Sequence, residues 1–319
     1  MKVPSYAEMH PMSSVLSKPV FSPLLPTFEM MADAIHGSQS VQISAPASIE
    51  GMLCMAHLEA ACIDLKKKYV RRFFLPKHFR ARDEPVTHPP HQCDLSILVN
   101  PEEETWSIDG LSKIEDEINL VPVEMELFFE QSSAKKRGAI DCVTLSALLA
   151  NFLAASSHIV RRLQSTMLLG QWLRTTLDHG PNPMYSMLVD VLQEDGLIRC
   201  VPMVEVEVLE TSMFEDFPQR RFNKLKTRWE HLDRDEKAQA LSELLLPMLE
   251  HRGLSTQRFE ELAFRRILRG DESTDLMSQL SILQHHWPTN KETLVLHVST
   301  QLDFVLKTGQ LIDINEATG

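Results

Sequence analysis

From Asp233 to Gly309 the chain keeps returning to one pattern: a capping residue, an amphipathic run, then a glycine or a proline. "DRDEKAQALSELLLPMLEHRG" puts Asp233 and Glu236 at capping-box spacing, with Pro247 as a kink and Gly253 as a stop. "STQRFEELAFRRILRG" starts at Ser255 and ends at Gly270. Its Glu260 and Glu261 come early and its Arg265, Arg266 and Arg269 late, as a helix dipole prefers. "DESTDLMSQLSILQHHWP" stops before Pro288, and "NKETLVLHVSTQLDFVLKTG" runs from an Asn290 cap to Gly309. Four such helices with short connections predict a helical bundle over residues 211–319. No fixed period links them, so a named repeat array is not supported.

The same signals extend upstream. A helix is expected from Ser48, with Cys54, Leu58, Cys62, Leu65 and Tyr69 at helical spacing and Pro76 as its stop. Asp141 caps the strongest helical pattern, which reaches His179 with a break near Ser156–His158. "MYSMLVDVLQEDG" reads as a short helix closed by Gly196. Strand signals are fewer. "CDLSILVN" and "TWSIDG" around the turn "PEEE" predict a hairpin, "NLVPVEMELFFE" a further strand that Pro122 marks as an edge, and "LIRCVPMVEVEVLE" a half-exposed strand. The expected fold is therefore mainly α, of the α+β kind, with a small β portion around 94–130 and 197–210. The expected domains are an arm (1–46), a helical domain with the β portion (47–210) and the C-terminal bundle (211–319).

Residues 1–46 hold six of the eighteen prolines and few charges, which argues against regular structure. Leu16, Val20, Phe21, Leu24, Leu25, Phe28 and Met30 make this segment apolar rather than a solvated tail. An extended arm with these side chains gains by lying in a groove, on its own domain or on a neighbouring subunit, and the seven are the expected partner-binding residues.

Size and composition narrow the class. At 319 residues, 43% apolar and 24% charged, the chain has material for a full core. Eleven glycines are few for this length, which disfavours phosphate-cradling loops. Five scattered cysteines without a C-x-x-C pair fit a reducing compartment. No apolar run reaches the length of a membrane span, and the first residues carry neither a signal-peptide pattern nor the arginines of a transit peptide. The expected setting is intracellular, cytoplasmic or nuclear, or the interior of a virion.

Catalytic patterns are missing from the sequence. Neither phosphate-loop, nucleophile-elbow nor zinc-protease spacing occurs, and "HLE" at 57–59 lacks the cysteine half of a deaminase signature. His88, His91 and Cys93 in "THPPHQC" have ligand chemistry for zinc, but their prolines hold an extended linker. Cys54 and His57, one helical turn apart, read as a packed helix face. The expectation is no catalytic residue, no cofactor and no metal.

One segment stands apart. "KKKYVRRFFLPKHFRAR" (66–82) carries Lys66, Lys67, Lys68, Arg71, Arg72, Lys77, Arg80 and Arg82 and no acid, in a chain of formal charge −12. Residues 101–130 hold ten acidic side chains and one lysine, so an internal match to that region, or to an acidic partner subunit, is the first expectation. Nucleic acid is the second, since cations neutralise phosphates and the interleaved aromatics could stack on bases. The functional expectation is a non-enzymatic structural or adaptor subunit of a larger assembly, cellular or viral. Its partners would be other protein subunits, homo- or hetero-oligomeric. The alternative is a nucleic-acid-binding protein that uses residues 66–82.

Overall fold

An interior strand of the main sheet lies where the sequence suggested an arm. In the computed structural model, which describes residues 14–81, 84, 87–101, 111, 113–129, 132–174, 183–214, 216–250 and 254–313, β1 (Ser40–Pro46) has a partner on each side. The chain forms two compact units. The first holds residues 1–173, 183–191 and 288–310, and the second holds 174–182, 192–287 and 311–319.

The first unit is built on a sheet of order β2-β1-β3-β5-β4, with β2 (Lys68–Phe74), β3 (Leu95–Val99), β4 (Lys113–Ile114) and β5 (Glu117–Leu120). β2, β1, β3 and β5 run parallel, and β4 closes one edge antiparallel. Helix α2 (Ile49–Asp64) links β1 to β2 as a βαβ unit. Val41, Ile43 and Ala45 line one face of β1, while Gln42 and Ser44 point to the other and share a 3.2 Å hydrogen bond. On that second face Arg72 donates to Gln92 and the Phe74 ring meets His88 edge-on, so the crossover from β2 to β3 runs over it, with a 3-10 turn at Lys77–Phe79 and no α-helix among its described residues.

α2 is buried on nearly every side, and so is α3 (Cys142–Leu153). A helix that is apolar all round belongs inside. α2 packs on β1, on α3 and on α11 (Lys291–Thr308), which makes it the middle layer of this unit. Ser48 caps α2 through Gly51 N–H, and Asp141 caps α3 through Thr144 N–H, as the sequence suggested. The long pattern after Asp141 breaks into α3, α4 (His158–Leu163) and α5 (Met167–Leu173), with the cap of α4 at Ser157. α6 (Pro183–Glu194) follows, and Gly196 closes it in the left-handed region. β6 (Val123–Phe129) and β7 (Ser132–Ile140) form a separate antiparallel ribbon.

In the second unit, α7 (Gln219–Arg228), α8 (Arg234–Leu245), α9 (Thr256–Phe264) and α10 (Leu276–His285) accompany a two-stranded ribbon of β8 (Arg199–Val201) and β9 (Arg266–Leu268). Asp233 and Glu236 close a reciprocal capping box on α8. Asp275 caps α10 and pairs with Arg266, and both side chains are fully buried.

Several expectations are corrected here. Residues 14–46 are not an extended arm: a 3-10 turn over Pro19–Leu24 leads into α1 (Leu25–Gly37) and then β1. Pro26 sits in the first turn of α1, where its missing N–H leaves no bond unmade. The helix from Ser48 ends at Asp64 rather than at Pro76, because Lys66 turns to a φ of 54° and "KYVRRFF" continues as strand β2. Its β-branched and aromatic residues suit a strand. Leu95–Val99 is an interior parallel strand, not half of a hairpin, and its expected mate at 105–110 lies outside the described residues. Pro122 separates β5 from β6 instead of lying within one strand. "LIRCVPMVEVEVLE" gives only the three residues of β8 before Pro202 ends the pairing. The helix from Ser255 stops at Phe264, and "RIL" turns into β9. Residues 211–319 are not one helical body, since α11 belongs to the first unit. The protein is a mixed α and β fold in which helix predominates, around a parallel sheet.

Candidate interaction surfaces

The cationic segment 66–82 is largely consumed by its own unit. Arg71, on the β2 face shared with Ile43, forms a two-pronged bond to Glu59 of α2: Nε donates to Oε1 at 2.6 Å and Nη2 to Oε2 at 2.7 Å. Its guanidinium also reaches Asp303 at 2.8 Å and the Ser299 carbonyl at 3.3 Å, both on α11. Burial works against the Arg71 charge, but the Glu59 and Asp303 carboxylates outweigh it and raise its pKa above the ordinary arginine value. Beside it, burial and then the Glu59 charge push the Tyr69 phenol up to about 12. Lys67 donates to the carbonyls of His36 and Ser38, Arg72 to Gln92, and Arg80 to the Glu84 carbonyl. Lys66, Lys68 and Lys77 are exposed, and Arg82 lies outside the described residues. Within the unit, Arg71 of this segment is matched by Glu59 and Asp303; residues 102–110 and 130 of the acidic stretch lie outside the described residues.

Five of the seven apolar residues of the N-terminal segment are buried in the first unit. Leu16, Val20, Phe21, Leu24 and Phe28 are buried, with Phe28 packed 6.0 Å from the Phe152 ring of α3; Leu25 is half-buried and Met30 is partly exposed.

In an open parallel sheet, ligands gather beyond the carboxyl ends of the strands where the strand order reverses, here between β1 and β3. That place holds Pro46 at the end of β1, then Ala47, Ser48 and Ile49, and Asn100 and Pro101 after β3. All but Ser48 and Asn100 are buried. A side chain at Gly51 would collide with the Pro46 carbonyl, so the first turn of α2 sits directly on the end of the strand. Its Gly51 N–H is already taken by Ser48. Among the described residues, the close approach of Gly51 to Pro46 leaves no gap between strand end and helix start of the kind that receives phosphate.

Cys54 and His57 lie fully inside, between α2 and its neighbours. Thr166 Oγ1 donates to Leu163 O at 2.7 Å, so it accepts from His57 Nε2–H at 3.0 Å. Nδ1 is then the bare nitrogen, and it is buried without a hydrogen-bond partner. Burial lowers the His57 pKa to about 3. The unfolded chain takes up this proton near pH 6.5, so the stability is present above that pH and is lost as pH falls from about 6.5 towards about 3. Over that window wild type should lose about 4 to 5 kcal/mol more than His57→Gln in urea denaturation at stepped pH. Parallel curves for the two proteins would show that His57 does not titrate on unfolding.

His88 and His91 are exposed and Cys93 is half-buried; among the described residues no three His, Cys, Asp or Glu side chains gather to hold a metal.

Two surfaces escaped the sequence reading. On α11, Leu294, Val298, Leu302 and Val305 are buried, while the adjacent Val295 and Leu296 are 40% and 73% exposed. On α7, Arg220, Arg221, Lys224 and Arg228 are exposed around the buried Phe222 and Leu225. The signals were available: the adjacent aliphatic pair Val295 and Leu296 outside the 294/298/302/305 stripe, and five Lys or Arg with no acid in the ten residues 219–228. The chain matches no known protein-family profile, and no curated protein matches it.

Proposed function

We propose that the protein is a non-enzymatic structural or adaptor subunit that works through protein–protein interfaces within a larger assembly. The observation that carries this reading is the pair Val295 and Leu296. A helix already anchored by four buried aliphatics on its inner side also presents two adjacent large aliphatics outward. Isolated exposed apolar residues are ordinary, but an adjacent pair on a rigid, well-seated helix suits an anchor for a partner. The close packing of α2's first turn on Pro46 supports the same reading, because that part of the edge where such a fold takes small molecules is spent on packing. Partners are other protein subunits, homo- or hetero-oligomeric. The setting is intracellular, cytoplasmic or nuclear, or a virion, and five free thiols accord with it.

The test is purification from the native source with wild type and Val295→Asp/Leu296→Asp side by side. A partner retained at fixed stoichiometry by wild type and lost from the variant is the expected result. Folding should be unaffected, since both side chains face water. Equal retention by both proteins would sink this interface.

A further inference from the structure

We propose that the outward face of α7 binds the phosphate backbone of a nucleic acid. This does not rest on the adaptor reading and uses a different surface. Arg220, Arg221, Lys224 and Arg228 fall within about 100° of the helix circumference at 3.6 residues per turn. All four are exposed, and none of their side chains has an ion pair or hydrogen bond with another described residue. Elsewhere this acidic chain engages its arginines readily, as at Arg71 with Glu59 and Arg266 with Asp275. A face of four unengaged cations in a chain of formal charge −12 is therefore set apart.

The spacing fits a phosphate strand. Arg220, Lys224 and Arg228 succeed one another every four residues, about 6 Å along the axis. That step is close to the separation of neighbouring phosphates. Asn223 and Thr227, also exposed on this helix, add uncharged polar groups of the kind that bind sugar and phosphate oxygens. Three of the four cations are arginines, whose planar forks suit phosphate.

The neighbouring wall decides between a nucleic acid and an acidic peptide. α7 and α8 flank a groove of about 490 Å³ lined by Arg221, Lys224, Leu225, Arg228, Ala240, Glu243 and Leu244. A docked peptide needs apolar pockets for anchor side chains. Here Phe222, Leu225 and Leu244 are already buried within the unit, and the exposed face of α7 offers charged and polar groups with no large apolar side chain. Charge without an apolar hold suits a polyanion. Glu243 is the one carboxylate on the groove, and it accepts from Gln239 at 2.8 Å.

The experiment is fluorescence anisotropy of labelled single-stranded and duplex oligonucleotides with the full chain between about 50 and 200 mM salt. Four phosphate contacts predict a duplex affinity that falls on the order of 100-fold across that range. Arg221→Gln/Lys224→Gln/Arg228→Gln should weaken binding at least about tenfold at low salt and flatten the salt slope by about 2 to 3. Its melting curve should match wild type, because these side chains are exposed; if it does not, the three single variants replace it. Lys66→Gln/Lys68→Gln/Lys77→Gln should bind as wild type does. Four results would overturn the proposal: no binding at low salt, an unchanged slope in the α7 variants, loss confined to the 66–77 variant, or displacement by polyglutamate as effective as by oligonucleotide.

Discussion

Arg71→Met is expected to destabilise the first unit by about 3 to 5 kcal/mol, measured by urea denaturation. The size follows from what is left behind. Glu59 is fully buried in the middle of α2, and both its oxygens accept from the Arg71 guanidinium. Removing the cation strands a carboxylate in the interior, which costs far more than losing a surface pair. Asp303 is 68% exposed, so its share is only about 0 to 1 kcal/mol. The matching double variant, Arg71→Met/Glu59→Leu, removes both charges while keeping volume, and should return to within about 1 kcal/mol of wild type. A small loss in the single variant would mean that Glu59 takes up a proton or reaches water. A double variant no better than the single would mean that β2 depends on Arg71 for something other than its charge.

Phe28→Ala should cost about 3 to 5 kcal/mol and leave the oligomeric mass unchanged. Phe28 is fully buried and its ring packs tilted against Phe152, and its helix α1 leads directly into β1, an interior strand of the sheet. An arm that docked on another subunit would behave the other way. Its truncation would scarcely move the denaturation midpoint of the isolated chain, and light scattering would show a smaller species. The contrast separates the two roles of the same seven side chains in one pair of measurements.

These two cases show what the sequence conveys and what it hides. Caps are local, and local chemistry is legible: Ser48, Asp141, Asp233 with Glu236, and Asn290 with Gly309 all bound helices where their side chains predict. A parallel sheet is not local. β1 pairs with strands 28 and 54 residues further on, taking Ser40 with Lys68 and Val41 with Leu95. It is preceded by prolines that read as an extended arm but serve as helix starts. β2 carries three cations that mimic the end of a helix, and Arg71 is readable as a strand residue only once Glu59 and Asp303 are beside it. β9 was hidden in the same way, by arginines that suit both a helix C-terminus and a buried partner such as Asp275. The surfaces were harder still. Val295 and Leu296 stand out only when the inner stripe of α11 is known, and the cations of α7 are masked by the acidic balance of the whole chain.

Hydrogen exchange, on the chain alone and on the complex recovered from its native source, goes straight to the central issue. Protection gained at 291–300, with the peptides around 44–51 and 99–101 unchanged, is what a subunit docking through α11 predicts. Protection gained instead at 44–51 and 99–101 would place a ligand at the carboxyl edge of the sheet and contradict the reading of this fold as an interface.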